Sequence, residues 1–228
     1  MEEAFPNVLD ARLASARFQG RRVEVVNAGV PGYNTLQERL LLEEKGLGLA
    51  PDLVAVSFFL NDAIPWSAPG PEARGLKQWI KDRFGLYWLA VRLRDRRRFH
   101  EEGFETEITP LVRAARGEPA PGWAVCAAEL GRIGALARGA GADALLVLWP
   151  ALDGLAGNYP YAAEHALVAA TARDAGFEIL DLLAVFRGTP EADIRVSPSD
   201  GHPNARGHAA AAAALEPWIR RWAEARGE

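Results

Sequence analysis

Leu53-Val54-Ala55-Val56-Ser57-Phe58-Phe59-Leu60, followed at once by Asn61-Asp62, is an almost unbroken apolar run that ends on two polar side chains. A strand with one wet face alternates polar and apolar residues, so a run without alternation is expected where helices cover both faces of a parallel sheet. Working outward toward the N-terminus, Val23-Glu24-Val25-Val26-Asn27 is a short β-branched run that enters the turn-forming Ala28-Gly29-Val30-Pro31-Gly32. Thr35-Leu36-Gln37-Glu38 then reads as a capping box opening a helix that ends near Gly46. Further out, Phe5, Val8, Leu9 and Leu13 recur at helical spacing, which predicts an amphipathic helix ending near Gly20.

Toward the C-terminus the same alternation returns. A helix from Trp123 stops at Gly139 and Gly141, and Ala144-Leu145-Leu146-Val147-Leu148-Trp149 is a strand. A helix through Glu164 to Ala175 stops at Gly176, and Phe177-Glu178-Ile179-Leu180-Asp181 is the last strand. The Asp200 loop and an alanine-rich helix close the chain, with Pro217 starting that helix's second segment. Strands alternating with helices predict an α/β fold, a three-layer α/β/α sandwich around a parallel sheet. One stretch interrupts the pattern. Pro65, Pro69 and Pro71 precede a helical spacing of Trp79, Ile80, Phe84, Leu86, Tyr87, Leu89 and Leu93, which reads as a helical insertion or lid at about 63–122 within one domain spanning 1–228.

At 228 residues, 49% of them hydrophobic, the chain is long enough to bury one sizeable core. A net charge of -4 gives no basic field, so nucleic acid is not an expected partner. The lone Cys126 cannot close an internal disulfide, and it shares an apolar helix face with Trp123, Leu130 and Ile133. Met1-Glu2-Glu3-Ala4-Phe5 is acidic with no apolar run behind it, so the chain as written carries no signal or membrane span. It is expected in the cytoplasm as written, or in the envelope or outside the cell if a signal segment precedes it. Arg92 to Arg98 reads as a solvated helix face; beside Trp79, Phe84, Tyr87 and Trp88 the alternative is contact with an anionic membrane surface or an acidic substrate.

In such a sheet ligands bind beyond the carboxyl ends of the strands. Gly32, Asn61 and the Asp200-Gly201-His202 turn all fall at that edge. A carboxylate and an imidazole on one polar turn are half of a hydrolytic machine, an acid that orients and a base that moves protons. Each residue also has a plainer reading: Gly32 as a turn needing positive φ, Asn61 as a partner for backbone groups at the strand end, His202 as a surface histidine. His208 packs or caps on the final helix, and with His202 and Asp200 it lacks a firm further ligand, so no metal is expected. His165, beside Glu164, and His100, beside Glu101, are expected to be solvated.

Taken together, Asn27-Ala28-Gly29-Val30-Pro31-Gly32-Tyr33-Asn34-Thr35, Phe58-Phe59-Leu60-Asn61-Asp62 and Asp200-Gly201-His202-Pro203-Asn204 resemble the second, third and last blocks of the SGNH, or GDSL-type, ester hydrolase family. The resemblance runs from about Phe5 to the C-terminus, leaving out Ala63 to Gly122. It implies a flavodoxin-like strand order, Gly32 N–H and the Asn61 side chain as oxyanion donors, His202 as general base, Asp200 as its orienting partner, and no metal or organic cofactor.

Two departures stand beside it. The Gly-Asp-Ser block with the nucleophile is absent, and the family's aspartate position, three residues before the histidine, holds Ser199, so that Asp200 at two before is the assigned acid. None of the five serines replaces the nucleophile: Ser57 is inside a strand, Ser15 and Ser67 are in a helix and a proline-rich loop, and Ser197 and Ser199 share the histidine's own loop. Without the first strand, the fold would need the Val23 and Leu53 strands to pair directly, or a strand from elsewhere. The expected function is a serine ester hydrolase of the esterase, lipase or carbohydrate O-acylesterase type, with its nucleophile upstream of Met1 and the chain as written inactive. The alternative is a non-catalytic module holding an acylated sugar or lipid in the same crevice. A nucleotide site is disfavoured because Gly29 and Gly32 lack the G-x-G-x-x-G spacing.

Overall fold

The apolar run forms a strand, and the sheet around it is parallel. In the computed structural model, which describes residues 3–18, 20–63, 108–197 and 200–226, β1 (Leu53–Phe58) pairs with β2 (Asp143–Leu148), and β2 with β3 (Glu178–Asp181). The register sets Leu53 opposite Asp143 and Phe58 opposite Leu148, so β1 and β2 end level and their following loops leave from one edge.

Alternation along β2 sorts its side chains into two cores. Ala144, Leu146 and Leu148 join a cluster with residues of α3 (Thr109–Ala115), α4 (Pro121–Gly139) and α5 (Ala162–Asp174), against which Leu42 of α2 (Thr35–Glu44) also packs. Leu145, Val147 and Trp149 join a second with α1 (Phe5–Leu13) and α8 (Ala205–Ala225) on the opposite face. This is the α/β architecture that the alternating pattern predicts, helices on both sides of a parallel sheet. Burying a leucine of this kind completely is worth about 1.5–3 kcal/mol, which is why β2, with Leu145, Leu146 and Leu148 all at 0% exposure, anchors the frame.

Several details differ from the reading of the sequence. β1 is covered well on one face only: Val56 and Phe58 are buried, whereas Ala55 is exposed. Val23–Asn27 runs without a strand assignment. Val25 N–H donates to Asp10 Oδ1 at 3.1 Å, and Val26 is 59% exposed. Among the described residues neither this segment nor the outer edge of β1 has a strand beside it, and an extended chain without a neighbour has no ladder to form.

The first helix stops at Leu13, and a bridge between Phe18 and Arg21 turns the chain back before Val23. Pro217 does not divide the last helix. Both Pro217 and Ala213, whose carbonyl loses its partner, face solvent, so water can take that bond and the helix continues to Ala225. The Asp200 loop is a short strand, β5 (Asp200–Pro203), antiparallel to β4 (Arg195–Ser197). It follows two short helices, α6 (Leu183–Phe186) and α7 (Glu191–Ile194). The Trp79 to Arg98 stretch, with His100, falls outside the described residues. The later part of the interrupting stretch, α3, packs into the first core with Ile108 and Leu111 at 0% exposure. Among the described residues no helix is long and apolar enough to cross a membrane.

Candidate active site

The Asp200–His202 ribbon is held by its neighbour in sequence. Asn204 caps α8, its Oδ1 accepting from Arg206 N–H at 2.9 Å and Gly207 N–H at 3.1 Å, while its Nδ2 donates to the carbonyls of Asp193 at 3.1 Å and Arg195 at 3.0 Å. One amide thus fastens helix, ribbon and α7 together. The close approach needs glycine at 207, where a Cβ would come within 2.9 Å of Pro203 Cβ and 3.2 Å of Ile194 O.

On that support, His202 Nδ1 lies 2.6 Å from Asp200 Oδ1, and His202 N–H donates to the same oxygen at 3.0 Å. A carboxylate can only accept, so it selects the tautomer with the proton on Nδ1 and leaves the Nε2 lone pair free. His202 is exposed, its side chain 77% so, and Nε2 has no protein partner among the described residues. Partial burial works to raise the Asp200 carboxyl, but the amide and imidazole of His202, with Arg195 nearby, hold it below the usual carboxylate range. The acid is therefore ionised wherever the imidazole works as a base.

Gly32 lies in the turn Val30-Pro31-Gly32-Tyr33, closed by Tyr33 N–H donating to Val30 O at 3.2 Å. Its φ of +80° is the left-handed value that position requires after a proline, and a Cβ there would meet nothing within 4 Å. Asn61 sits exposed on a 3-10 turn, Leu60–Ala63, directly after β1. The turn is closed by Asp62, whose Oδ2 accepts from Phe59 N–H at 2.7 Å. The two loops are bolted together: Thr35, three residues after Gly32, donates from Oγ1 to the carbonyl of Asp62 at 3.1 Å.

The structure therefore joins Asp200 to His202 directly by hydrogen bonds, and ties the Gly32 loop to the Asn61 turn through the Thr35–Asp62 bond. No hydrogen bond joins the two pairs among the described residues; what links them is Trp149, at 0% exposure beyond the end of β2. Its ring stacks on Phe59 at 5.2 Å, meets His208 edge-on at 5.8 Å, and donates from Nε1 to Ser57 Oγ at 3.0 Å. His208 in turn stacks on Phe5 at 6.4 Å, and burial, countered in part by Glu3 and assisted by His202, lowers its pKa. The chain thus enters α1 beside His208, whose other charged neighbour is His202.

Of the described serines, Ser197 stands opposite Asp200 on β4. Ser57 is engaged by Trp149, and Ser15 lies exposed past the end of α1. Cys126 is buried, and burial above all pushes its thiol up to about 12. Ser67 and Ser199 fall outside the described residues. Among those described, no group of three or more histidine, cysteine, aspartate or glutamate side chains is arranged to hold a metal ion.

Two features escaped the sequence. The helix cap at α2 is Asn34 with Gln37, one residue earlier than the expected Thr35–Glu38 box, because Asn34 Oδ1 accepts from Gln37 N–H at 3.2 Å and Gln37 Oε1 from Asn34 N–H at 3.1 Å. That shift frees Thr35 and Glu38 to face inward. His165 is not solvated but 3% exposed. Its Nε2 lies 3.0 Å from Tyr159 Oη and its Nδ1 3.3 Å from Asp181 Oδ1, and Tyr159 Oη also accepts from Ala151 N–H at 3.0 Å. A helical position next to a glutamate gave no sign of this relay, which pins the loop after β2 to the end of β3.

A family model for the GDSL-like lipase/acylhydrolase family matches residues 2–210. No curated protein and no solved structure matches the chain.

Proposed function

The chain belongs to the GDSL-like lipase/acylhydrolase family, and from that membership and the site's geometry we propose that it is an ester hydrolase in which His202 and Asp200 activate a serine delivered by the residues leading into α1. The observation that carries this is the Asp200–His202 contact at 2.6 Å, which leaves the Nε2 of an exposed imidazole without a protein partner among the described residues. His202 Nε2 takes the hydroxyl proton as the serine oxygen bonds to the ester carbonyl carbon. Gly32 N–H and the Asn61 side-chain N–H receive the oxyanion, a donor set in which one loss typically costs about a hundredfold or more in rate. The carbon–oxygen bond to the alcohol then breaks, His202 returns its proton to the leaving alkoxide, and water repeats the sequence on the acyl-enzyme. The substrate is a small ester, of an acylated carbohydrate, a short-chain alcohol or a lipid.

The test uses the protein purified from its natural source. A fluorophosphonate probe should label one serine in a peptide N-terminal to α1, p-nitrophenyl acetate should be cleaved, and His202→Ala in that full chain should lose at least about a thousandfold in kcat. A native protein whose intact mass equals the 24.7 kDa of this chain, with neither labelling nor turnover, would overturn the proposal. That outcome would favour the second reading, a non-catalytic module binding an acylated sugar or lipid. That His202 Nε2 has no hydrogen-bond partner among the described residues is the observation in its favour.

A further inference from the structure

Thr35 and Glu38, released from capping, meet Asp62 under the Asn61 turn. Thr35 Oγ1 has two neighbours, the Asp62 carbonyl at 3.1 Å and Cys126 Sγ at 3.3 Å. A carbonyl only accepts, so the hydroxyl proton belongs to Asp62 O and the thiol donates to Oγ1. Glu38 lies one helical turn beyond Thr35, near enough for the charge of Asp62 to act on it, and its Oε2 is buried without any hydrogen-bond partner.

The other charges around the pair are already committed. On α4, Glu129 takes Arg39 Nε at 2.8 Å and Arg132 Nη1 at 2.5 Å, and Arg39 also holds Glu43. An ionised Glu38 would thus be a buried anion facing a second carboxylate, with an orphan oxygen and no free cation among these neighbours, an arrangement costlier than a neutral acid.

We propose that Glu38 is a neutral carboxylic acid at physiological pH, leaving Asp62 as the carboxylate of the pair that carries charge, and that Thr35 and Asp62, through the bond from Thr35 Oγ1 to the Asp62 carbonyl, fix the Asn61 turn against the Gly32 loop. Thr35 and Asp62 are positioning residues: they touch neither substrate nor reacting atoms, and they set the separation of the two oxyanion donors. This use of the pair rests on the reading of Gly32 and Asn61 given above; the protonation pattern itself does not.

The electrostatics agree in direction. Burial first, and the charge of Asp62 second, raise Glu38 well above the ordinary carboxylate range. Burial raises Asp62 to about 7 against the opposing effect of its bond from Phe59 N–H. Asp62 therefore ionises first, and the bond that closes the Asn61 turn tightens as pH rises through neutrality, while Glu38 stays protonated.

Two measurements on the 228-residue chain test this without any turnover. Infrared difference spectra at pH 8 should show the carbonyl stretch of one protonated carboxylic acid, absent from Glu38→Gln and kept in Asp62→Asn. In nitrogen-15 spectra, the Phe59 amide and the Asn61 side-chain amide should titrate together with a midpoint near pH 7, and the Asp62→Asn variant should show no such step. A stability readout adds to these: Glu38→Gln, an isostere of the neutral acid, should match the wild-type Tm below the unfolded carboxyl's pKa and exceed it increasingly as pH rises above that value, because the unfolded carboxyl ionises while the folded one stays neutral. An absent acid band in the wild type, or no shared titration, overturns the inference even if the variants fold poorly, since both are read on the unaltered chain. If the signatures are present but the full protein cleaves no ester, the functional reading fails and the carboxyl pair stands.

Discussion

Replacing Asn204 by alanine tests whether one side chain holds the histidine ribbon in place. The amide makes four hydrogen bonds, two accepted at the N-terminus of α8 and two donated to the carbonyls of Asp193 and Arg195. Losing the cap costs about 1 kcal/mol, and each donated bond about 0.5–1.5 kcal/mol more, so the loss is about 2–4 kcal/mol. For a chain of this length that is a fall in Tm of roughly 4–16 °C. Asn204→Asp separates the two contributions. It keeps the acceptor, gains about 0.3–1 kcal/mol from negative charge at a helix start, and loses both donated bonds. Urea unfolding of the three proteins should place aspartate between wild type and alanine. An alanine variant within about 0.5 kcal/mol of wild type would refute the clamp, since that is below the cost of one cap. Equal losses for the two variants would show that the cap contributes nothing.

Tyr159→Phe should destabilise by about 1–3 kcal/mol in thermal melts, because the Ala151 N–H and His165 Nε2 lose their buried partner; no change in Tm would mean that water replaces the hydroxyl. Asp181 is half-buried, and although burial acts to raise it, bonds from His165 and Leu183 N–H bring it below the usual range. A carboxyl lowered on folding adds stability above its unfolded pKa and loses it as pH falls through the folded value, so Asp181→Asn should flatten the acid side of the Tm-against-pH curve; an unchanged acid limb would rule the contribution out.

The sheet was legible because its strands carry composition in a few adjacent residues: Ala144 to Trp149 reads as a strand and Asp143–Leu148 is one, whereas the run that reads as covered on both faces, Leu53 to Leu60, is covered well on one face only. Of the candidate site residues, Asn61 directly follows β1, as its place in the sequence implies, whereas Gly32 follows a segment without a strand and Asp200 and His202 lie on a ribbon outside the parallel sheet. What a local pattern cannot carry is partnership across the fold. Val23–Asn27 has strand composition, yet a strand exists only where another chain segment pairs with it. Thr35 and Glu38 satisfy the capping spacing as well as Asn34 and Gln37 do, and only the buried Asp62 carbonyl and Cys126 thiol decide between the two registers. His165 looks solvated beside Glu164 until Tyr159 and Asp181 fold over it. Each misreading concerns a partner, present or missing, that lies outside the few adjacent residues from which the pattern is read.

The same distinction explains how the candidate site is built. Within each half the polar groups are set by hydrogen bonds, Gly32 to Asn61 through Thr35 and Asp62, and His202 to Asp200 on the Asn204 clamp. Between the halves the described residues show ring packing in place of hydrogen bonds, with Trp149 touching Phe59 on one side and His208 on the other. Hydrogen bonds fix angle and distance to a few tenths of an ångström, whereas ring packing tolerates small slides at little cost. Each half is thus rigid, and the spacing of the Asp200–His202 pair from the Gly32 and Asn61 loops is the adjustable dimension. Phe5 also meets Trp149, edge-on at 5.5 Å, so the segment entering α1 bears on that same ring. In the proposed hydrolase, where the serine comes from the residues leading into α1, that contact would couple delivery of the nucleophile to the separation of the two halves.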